Sequence, residues 1–374
     1  METEKTKDIE YGKQQDRLFI LQAGLTVIVL AVYFFSGAST RLAAGLRASF
    51  GDLWPLSNLI YIAVTVFGYA VFLFPLVYYS DYVIETERGL QTAGFGAWLK
   101  SYIRGLFMDL LVACTVFSVV YALLRFFPEW WWALTAVGYL FVIFIFDFAL
   151  PAIFSKFISM GQALPDREFA QDLLEWARDL GLDAQDVLTY GTEDFRAVAP
   201  ILLAGVGKKR TILIDKAVLR EFSREEIVAL LAHEVFFTQI GAKKRFMALC
   251  LVVAVLGLYL AKHALEFFAA GMDSSGYGSV YSIEGFPVLL ATIFVFVLVA
   301  MPVLNLFNHR QVMRADALAV KAGKSADDLV AAIEKESDVA VEHSNPAGWM
   351  EILLHRMPSA HKRIQNARNA EKEL

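Results

Sequence analysis

Apolar residues along this chain are gathered in long runs rather than spread at the spacing of one helix or strand face. Each run is roughly 16–22 residues, close to the 20 or so that a helix needs to cross a bilayer. Aromatic rings at several run ends suit the membrane interface. The pattern predicts about six transmembrane helices, at Leu18–Ala38, Leu59–Tyr79, Leu106–Leu124, Trp130–Pro151, Phe246–Ala261 and Phe286–Phe307.

Between the fourth and fifth runs the pattern changes to short segments of mixed polarity. Helical periodicity covers Glu168–Leu180, and β-branched and aromatic residues predict strands at Val187–Tyr190 and Thr211–Ile214. Ser223 and Glu226 stand three residues apart before an apolar stretch, which is the capping-box signature of a helix start. We therefore expect a compact α+β domain in this part of the chain.

These changes divide the chain into four predicted regions. They are a four-span N-terminal region at 1–154, the α+β domain at 155–245, two further spans at 246–308 and a polar helical region at 309–374.

Composition and charge agree with a membrane protein. The apolar fraction is 57%, against about 45–50% for an ordinary soluble domain. The net charge of −5 provides no basic footprint, so we expect the lipid bilayer and no nucleic acid as a partner. Basic residues such as Arg88, Lys156 and Arg310 lie on one side of the predicted spans, which places both termini and the α+β domain in the cytoplasm. Compact length and the absence of further targeting signals favour a bacterial inner membrane.

The candidate chemistry lies on the helix that begins after Ser223. His233-Glu234 is the front half of the zinc-peptidase signature His-Glu-x-x-His, in which both histidines bind zinc and the Glu activates a water. The second histidine position holds Phe237, whose phenyl ring has no lone pair to donate to a metal.

Several segments, in order and spacing, resemble the CAAX prenyl protease and HtpX-like family of integral membrane zinc metallopeptidases. The resemblance runs from about residue 80 to the C-terminus and is carried by Tyr82–Leu99, Leu150–Phe157, Gly205–Asp215 and Ser223–Glu234. It implies an α-helical polytopic membrane protein with a cytoplasmic α+β zincin-like domain, and an endopeptidase that acts on membrane or prenylated proteins.

The family's remaining motifs are only partly kept here. Its third zinc ligand is the Glu of a Glu-x-x-x-Asp pattern, where this chain has Val312 and Asp316. Its C-terminal His-Pro-x-x-x-x-Arg element keeps Arg363 but has Met357 in place of the His. On the family's substrate-binding edge strand, Pro200 stands where an Asn is usual, and proline lacks the N–H that an extended peptide would accept.

The three apolar replacements, Phe237, Val312 and Met357, predict that a polar site has become a packed core, because unpaired buried charges are costly. No cofactor is then expected, and zinc is expected only if the site has been rebuilt. His233 remains as the one family ligand and Glu234 as a vestigial general base.

Asp316 is expected to serve as a structural or second-layer residue that pairs with Arg363. Arg363 is also a second candidate for a catalytic role, and Met357 occupies the position of the family His at the binding site.

Three functions are consistent with this pattern. The first is a catalytically impaired or inactive homologue that binds a hydrophobic peptide, a lipidated tail or a membrane-protein partner. The second is an active zinc metalloendopeptidase with non-standard ligands, for which His309 is the nearest histidine along the helix to Val312. The third is a transporter or channel, supported only by Asp109 and Asp147 within predicted spans, without an inverted repeat.

Overall fold

The computed structural model describes residues 2–51, 53–88, 94–145, 162–191, 200–205, 210–273, 282–323, 325–340, 346 and 348–374. Asp147, the segment Leu150–Phe157 and the predicted boundary after residue 154 lie outside these residues. The chain forms two compact units. One comprises Gln14–Gly138 and Val252–Ala300, and the other comprises Met1–Lys13, Tyr139–Leu251 and Met301–Leu374.

The N-terminal part of the described chain is helical. Its helices are α1 (Glu2–Phe35), α2 (Ala38–Phe50), α3 (Trp54–Tyr78), α4 (Phe95–Phe126) and α5 (Trp131–Phe144). Proline at the start of α3 suits the first helical turn, where an N–H would have no partner. After the internal Pro75, α3 continues into a π-helical segment, Tyr79–Ile84.

Five helices of the described chain are long and apolar enough to span a membrane. They are Glu10–Phe35, Trp54–Glu87, Phe95–Phe126, Ala242–Ala269 and Ile283–Gly323. They coincide with five of the six predicted spans, so the polytopic fold is confirmed. The described part of the remaining predicted span, Trp130–Pro151, is the 14-residue helix α5.

The apolar pattern does not predict α2, which is too short to span and buries only one face, at Ser39 and Ala43. Ser39 Oγ lies 2.7 Å from the Tyr61 hydroxyl and donates to the Glu284 carbonyl at 2.9 Å. Arg47, also on α2, pairs with the fully buried Glu284 carboxylate. These polar contacts give partners to Ser39, Tyr61 and one oxygen of the Glu284 carboxylate, and they fix α2 within its unit.

The soluble domain is an α+β fold, as predicted. Its elements are β1 (Gln162–Ala163), α6 (Arg167–Asp179), β2 (Ala184–Tyr190), β3 (Ile201–Ala204), β4 (Arg210–Asp215), α7 (Lys216–Glu221) and α8 (Arg224–Gln239). In the described residues the strands form a sheet of order β1-β2-β4-β3, with β2 and β4 parallel and both outer pairs antiparallel. The predicted helix and both predicted strands are present within a few residues of their expected bounds.

Alternating side chains build the core of this domain. Ile212 and Ile214 of β4 are fully buried and share one hydrophobic cluster with Leu173 of α6 and Leu231 of α8. Because β3 pairs with β4 on one side, it forms an edge of the described sheet, next to Pro200.

The described residues that follow are again helical. It comprises α9 (Ala242–Asp273), a 3-10 turn (Ile283–Gly285), α10 (Phe286–Gly323), α11 (Asp327–Ala340), α12 (Gly348–Leu354) and α13 (Ala360–Glu371). A second hydrophobic cluster joins Ala232 of α8 to Val320, Ile333 and Ala367 of α10, α11 and α13. The residues of the candidate site are therefore carried by helices that share a core.

Candidate functional site

Helix α8 carries the remnant of the zinc motif. It begins with the predicted capping box, which is confirmed: the Ser223 N–H donates to Glu226 Oε2 at 2.7 Å, and the Glu226 N–H donates to Ser223 Oγ at 3.2 Å. His233 and Phe237, four residues apart, lie on one helix face with ring centroids 5.9 Å apart and planes 22° apart. The ring that replaces the second histidine therefore stacks along its own helix on the first.

His233 is held by a buried carboxylate. His233 Nδ1 lies 2.6 Å from Asp316 Oδ1, and Asp316 is fully buried. In metal sites a carboxylate commonly orients a histidine in this way, by binding the ring nitrogen that does not bind the metal. Asp316 therefore fixes the orientation of the His233 ring from one side.

The expected pairing of Asp316 with Arg363 is present. Arg363 donates from Nε to Asp316 Oδ2 at 2.9 Å and from Nη2 to Oδ1 at 3.0 Å. Arg363 also donates from Nη1 to Glu336 Oε2 at 3.2 Å. Sequence reasoning missed Glu336, because α11 carries no motif and its distance from Arg363 is set only by packing.

Burial and neighbouring charges change the pKa values of these groups. Burial by itself lowers the pKa of the Arg363 guanidinium, but Asp316 and Glu336 outweigh it and hold that pKa above its ordinary value. Burial raises the pKa of the Glu336 carboxyl. Burial also raises the pKa of the Glu234 carboxyl, and the neighbouring His233 and Lys243 only partly offset this effect. Glu234 is therefore a carboxyl whose charged form the fold disfavours.

The expectation that the apolar replacements refill the site is wrong. A cavity of about 590 Å³ is lined by His233, Glu234, Phe237, Val312 and Met357 together with Arg363 and the edge-strand segment Pro200–Leu202. Val312 is buried, but Met357 is 41% exposed.

The physical reason lies in the direction of the side chains. Phe237 stacks on His233 rather than reaching across the space, and the Met357 sulfur lies 3.7 Å from Asn308 Nδ2 at the rim.

The donor set of this cavity does not fit zinc. Zinc takes three or four protein ligands at about 2 Å, and His233 is the one family ligand that remains. Within the ranges that the structure describes, no group of three or more His, Cys, Asp or Glu residues could hold a metal ion. The nitrogen Nε2 of His309 lies 2.8 Å from the His355 carbonyl, and His309 does not line the cavity. The histidine considered for a rebuilt site is thus bound elsewhere.

Comparisons with known families agree on one assignment. The family model of Peptidase family M48 matches residues 165–371. A second model, described as CAAX prenyl protease N-terminal, five membrane helices, matches residues 2–158. The two matches together cover nearly the whole chain.

Curated relatives with the same name come from plants and a flatworm. A CAAX prenyl protease 1 homolog of Arabidopsis thaliana is 22% identical over 73% of this chain and 64% of its own length. The homolog of Taenia solium is 21% identical over 75% of this chain and 65% of its own length. The chain thus spans just under two thirds of the length of these relatives.

A solved structure shows the same fold. The crystal structure of S. mikatae Ste24p superposes with a TM-score of 0.75 at 17% identity, covering 97% of this chain and 88% of that one. At this level of identity the likeness supports the fold, a polytopic membrane protein with a soluble zincin-like domain, and leaves the chemistry to the site itself.

Proposed function

The chain belongs to peptidase family M48, as a CAAX prenyl protease-like member. We propose that this member binds its ligand without hydrolysing it. The observation that carries the proposal is the donor set of the cavity. Phe237 and Val312 stand at two of three ligand positions, while His233 keeps its supporting carboxylate. Without the ligands that hold zinc, Glu234 has no metal-bound water to activate.

The proposed ligand is a hydrophobic peptide, a lipid-modified tail or a segment of a membrane-protein partner. A volume of about 590 Å³ is in the range of small-ligand sites. The wall combines Phe237 and Val312 with the partly exposed Leu202 and Met357, all of which favour an apolar occupant. Prenylated proteins are the class suggested by the names of the curated relatives.

Zinc content tests the loss of the metal site. We expect the purified chain in detergent to retain no stoichiometric zinc and to gain no thermal stability when zinc is added, because a metal that binds the folded state raises its melting temperature. The matched variant, Phe237→His with Val312→Glu, restores the two ligand positions and should gain both properties. Adding Met357→His tests whether hydrolysis also returns.

The opposite result identifies the alternative function. One zinc per wild-type chain that is lost in His233→Ala, with peptide cleavage that is lost in Glu234→Gln, would mean an active zinc metalloendopeptidase with non-standard ligands. In that case His233 acts as a ligand and Glu234 as the general base.

Ligand binding is tested with a pair of peptides. A peptide that ends in a farnesylated cysteine methyl ester should raise the melting temperature of the chain, and the same peptide without the lipid should do so less. Leu202→Asp, which places a charge on the apolar wall, should reduce the shift. Equal shifts for both peptides would mean that the lipid is not what the cavity binds.

For location we propose a bacterial inner membrane, with both termini and the soluble domain in the cytoplasm. The support is the distribution of basic residues along the sequence, since cytoplasmic loops carry the excess of Lys and Arg.

A further inference from the structure

Helices α9 and α10 change from apolar to charged residues at the same level. In α9 the change comes between Arg245 and Phe246, and in α10 it comes between Phe307 and Asn308. The rings of Phe246 and Phe307 lie against each other, with centroids 6.4 Å apart. Because both apolar stretches end at these two rings, they mark the depth at which the helix pair leaves the hydrocarbon.

The short helix α12 is tied to this level by three side chains of α10. Asn305, Asn308 and His309 make these contacts at 2.8–3.1 Å. Their partners are the carbonyl oxygens at and just beyond the end of α12, those of Ile352, Leu353, His355 and Arg356. Carbonyls at a helix end lack partners within the helix, so these contacts both cap α12 and hold it beside the boundary.

Trp349 is the exposed feature of α12. It is 60% exposed and lies one helical turn before the carbonyls that Asn305 binds. In this helix Glu351 is buried and bonded to Ser359 and Lys362, and the remaining residues after Gly348 are apolar. An exposed indole costs free energy in water, whereas at a membrane interface its ring is buried and its N–H stays hydrated.

Exposed basic side chains surround the same level. We call them the basic collar: Lys243, Lys244, Arg245, Arg310 and Arg356. The guanidinium of Arg356 lies over the Phe246 ring, 5.1 Å from its centroid. No acidic residue occurs in 242–251 or 301–315, the two stretches of sequence that carry Lys244, Arg245 and Arg310.

We propose that the basic collar and Trp349 form a docking surface for anionic phospholipids of the membrane that the chain spans. The collar binds the headgroup phosphates, and Trp349 inserts at the boundary of the acyl chains. Phospholipid fits better than free phosphate because the surface joins positive charge to an exposed apolar ring. Since Arg356 and Met357 also line the cavity, bound lipid would hold the segment that forms the cavity rim. The proposal does not depend on whether the site hydrolyses peptides.

The position of Trp349 is tested by quenching in nanodiscs. The difference in emission between the full-length chain and its Trp349→Phe variant isolates the signal of this one indole. We expect lipids brominated near the headgroup to quench that signal and acrylamide in the water to quench it weakly. Strong quenching by acrylamide with no effect of brominated lipid would overturn the proposed insertion.

The charge of the surface is tested by titrating short-chain phosphatidylglycerol into the detergent-solubilised chain. At about 1 kcal/mol per basic residue, Arg245→Gln with Arg310→Gln should weaken binding on the order of thirtyfold. The matched control, Arg178→Gln with Lys372→Gln, removes two exposed basic residues elsewhere and should leave affinity within about twofold.

Two further measurements distinguish binding of anionic lipid from binding of free phosphate or of neutral lipid. Phosphatidylcholine should bind more weakly than phosphatidylglycerol, and inorganic phosphate should not displace the lipid. Equal losses in the collar variant and the control, equal affinity for both lipids, or displacement by phosphate would each contradict the docking surface.

Discussion

At the residue scale, His233 is joined to a network of buried polar side chains. Asp316 binds His233 and Arg363 together, and Arg363 also binds Glu336. Each of these groups therefore has a hydrogen-bonding partner within the network. Phe237, in contrast, contributes a stacked ring and no donor.

Asp316→Asn should destabilise the chain by about 3–5 kcal/mol, because it removes the buried carboxylate that binds Arg363 through two hydrogen bonds and leaves only the partly exposed Glu336 to pair with the guanidinium. Glu373→Gln is the control, since its pair with Lys321 is largely exposed and worth at most about 1 kcal/mol. Urea unfolding in detergent, followed by circular dichroism, measures both. Similar losses in the two variants would show that burial does not set the strength of the Asp316 pair.

Glu234→Gln should stabilise the chain at neutral pH, because a neutral amide does not carry the cost of a buried carboxylate charge. Burial raises the pKa of Glu234 in the fold, so the native state keeps a proton that the unfolded chain loses. The free energy of unfolding therefore falls as pH rises from the ordinary glutamate pKa towards the raised one. Melting curves across that pH range should lose this slope in Glu234→Gln and keep it in Glu175→Gln, an exposed control on α6. A variant less stable than wild type at neutral pH contradicts the assignment.

At the scale of elements, local signals in the sequence determine where helices begin. The capping box at Ser223 and Glu226 needs only residues three apart, and the structure contains both of its hydrogen bonds. Helices α2 and α12 lack such signals and are too short to read from apolar periodicity. Both are held instead by side chains distant in sequence, α2 by Glu284 and α12 by Asn305.

Ser223→Ala should cost about 1 kcal/mol, because the Glu226 N–H loses its acceptor at the start of α8. Ser223→Asp keeps an acceptor oxygen and should remain close to wild type. Thermal unfolding of the three proteins in one detergent tests this. If the Asp variant falls as far as the Ala variant, the contribution of Ser223 is not a cap.

At the scale of the whole molecule, the membrane-spanning helices and the soluble domain alternate along the sequence. Five long apolar helices are distributed on both sides of the soluble domain in the sequence. Two family models, one for the membrane part and one for the peptidase part, match consecutive stretches of the chain. The proposed orientation also predicts on which side of the membrane the soluble domain lies, namely the cytoplasmic side.

Cysteine labelling in intact cells tests that orientation. In a background with Cys114→Ala and Cys250→Ala, a cysteine at exposed Glu129 should react with a membrane-impermeant maleimide. Cysteines at exposed Glu225 and Lys372 should react only after the membrane is opened. Labelling of position 225 or 372 in sealed cells would reverse the proposed topology.

Three features of this protein follow from local patterns in its sequence. Bilayer thickness requires runs of about 20 apolar residues, so the spans could be predicted from the apolar runs along the chain. The start of α8 depends on contacts between near neighbours in the chain. The side chains of Phe237 and Val312 cannot donate a lone pair to a metal, whatever their surroundings.

Contacts between residues far apart in the chain, in contrast, set whether the space beside Phe237, Val312 and Met357 is open or filled. Refilling depends on where Phe237 and Met357 point, and the cavity of about 590 Å³ remains because one stacks on His233 and the other lies at the rim. Glu336 reaches Arg363, and α12 reaches the boundary of α9 and α10, through contacts between residues far apart in the chain. Such distances are set by the packing of whole helices, which no local pattern of residues encodes.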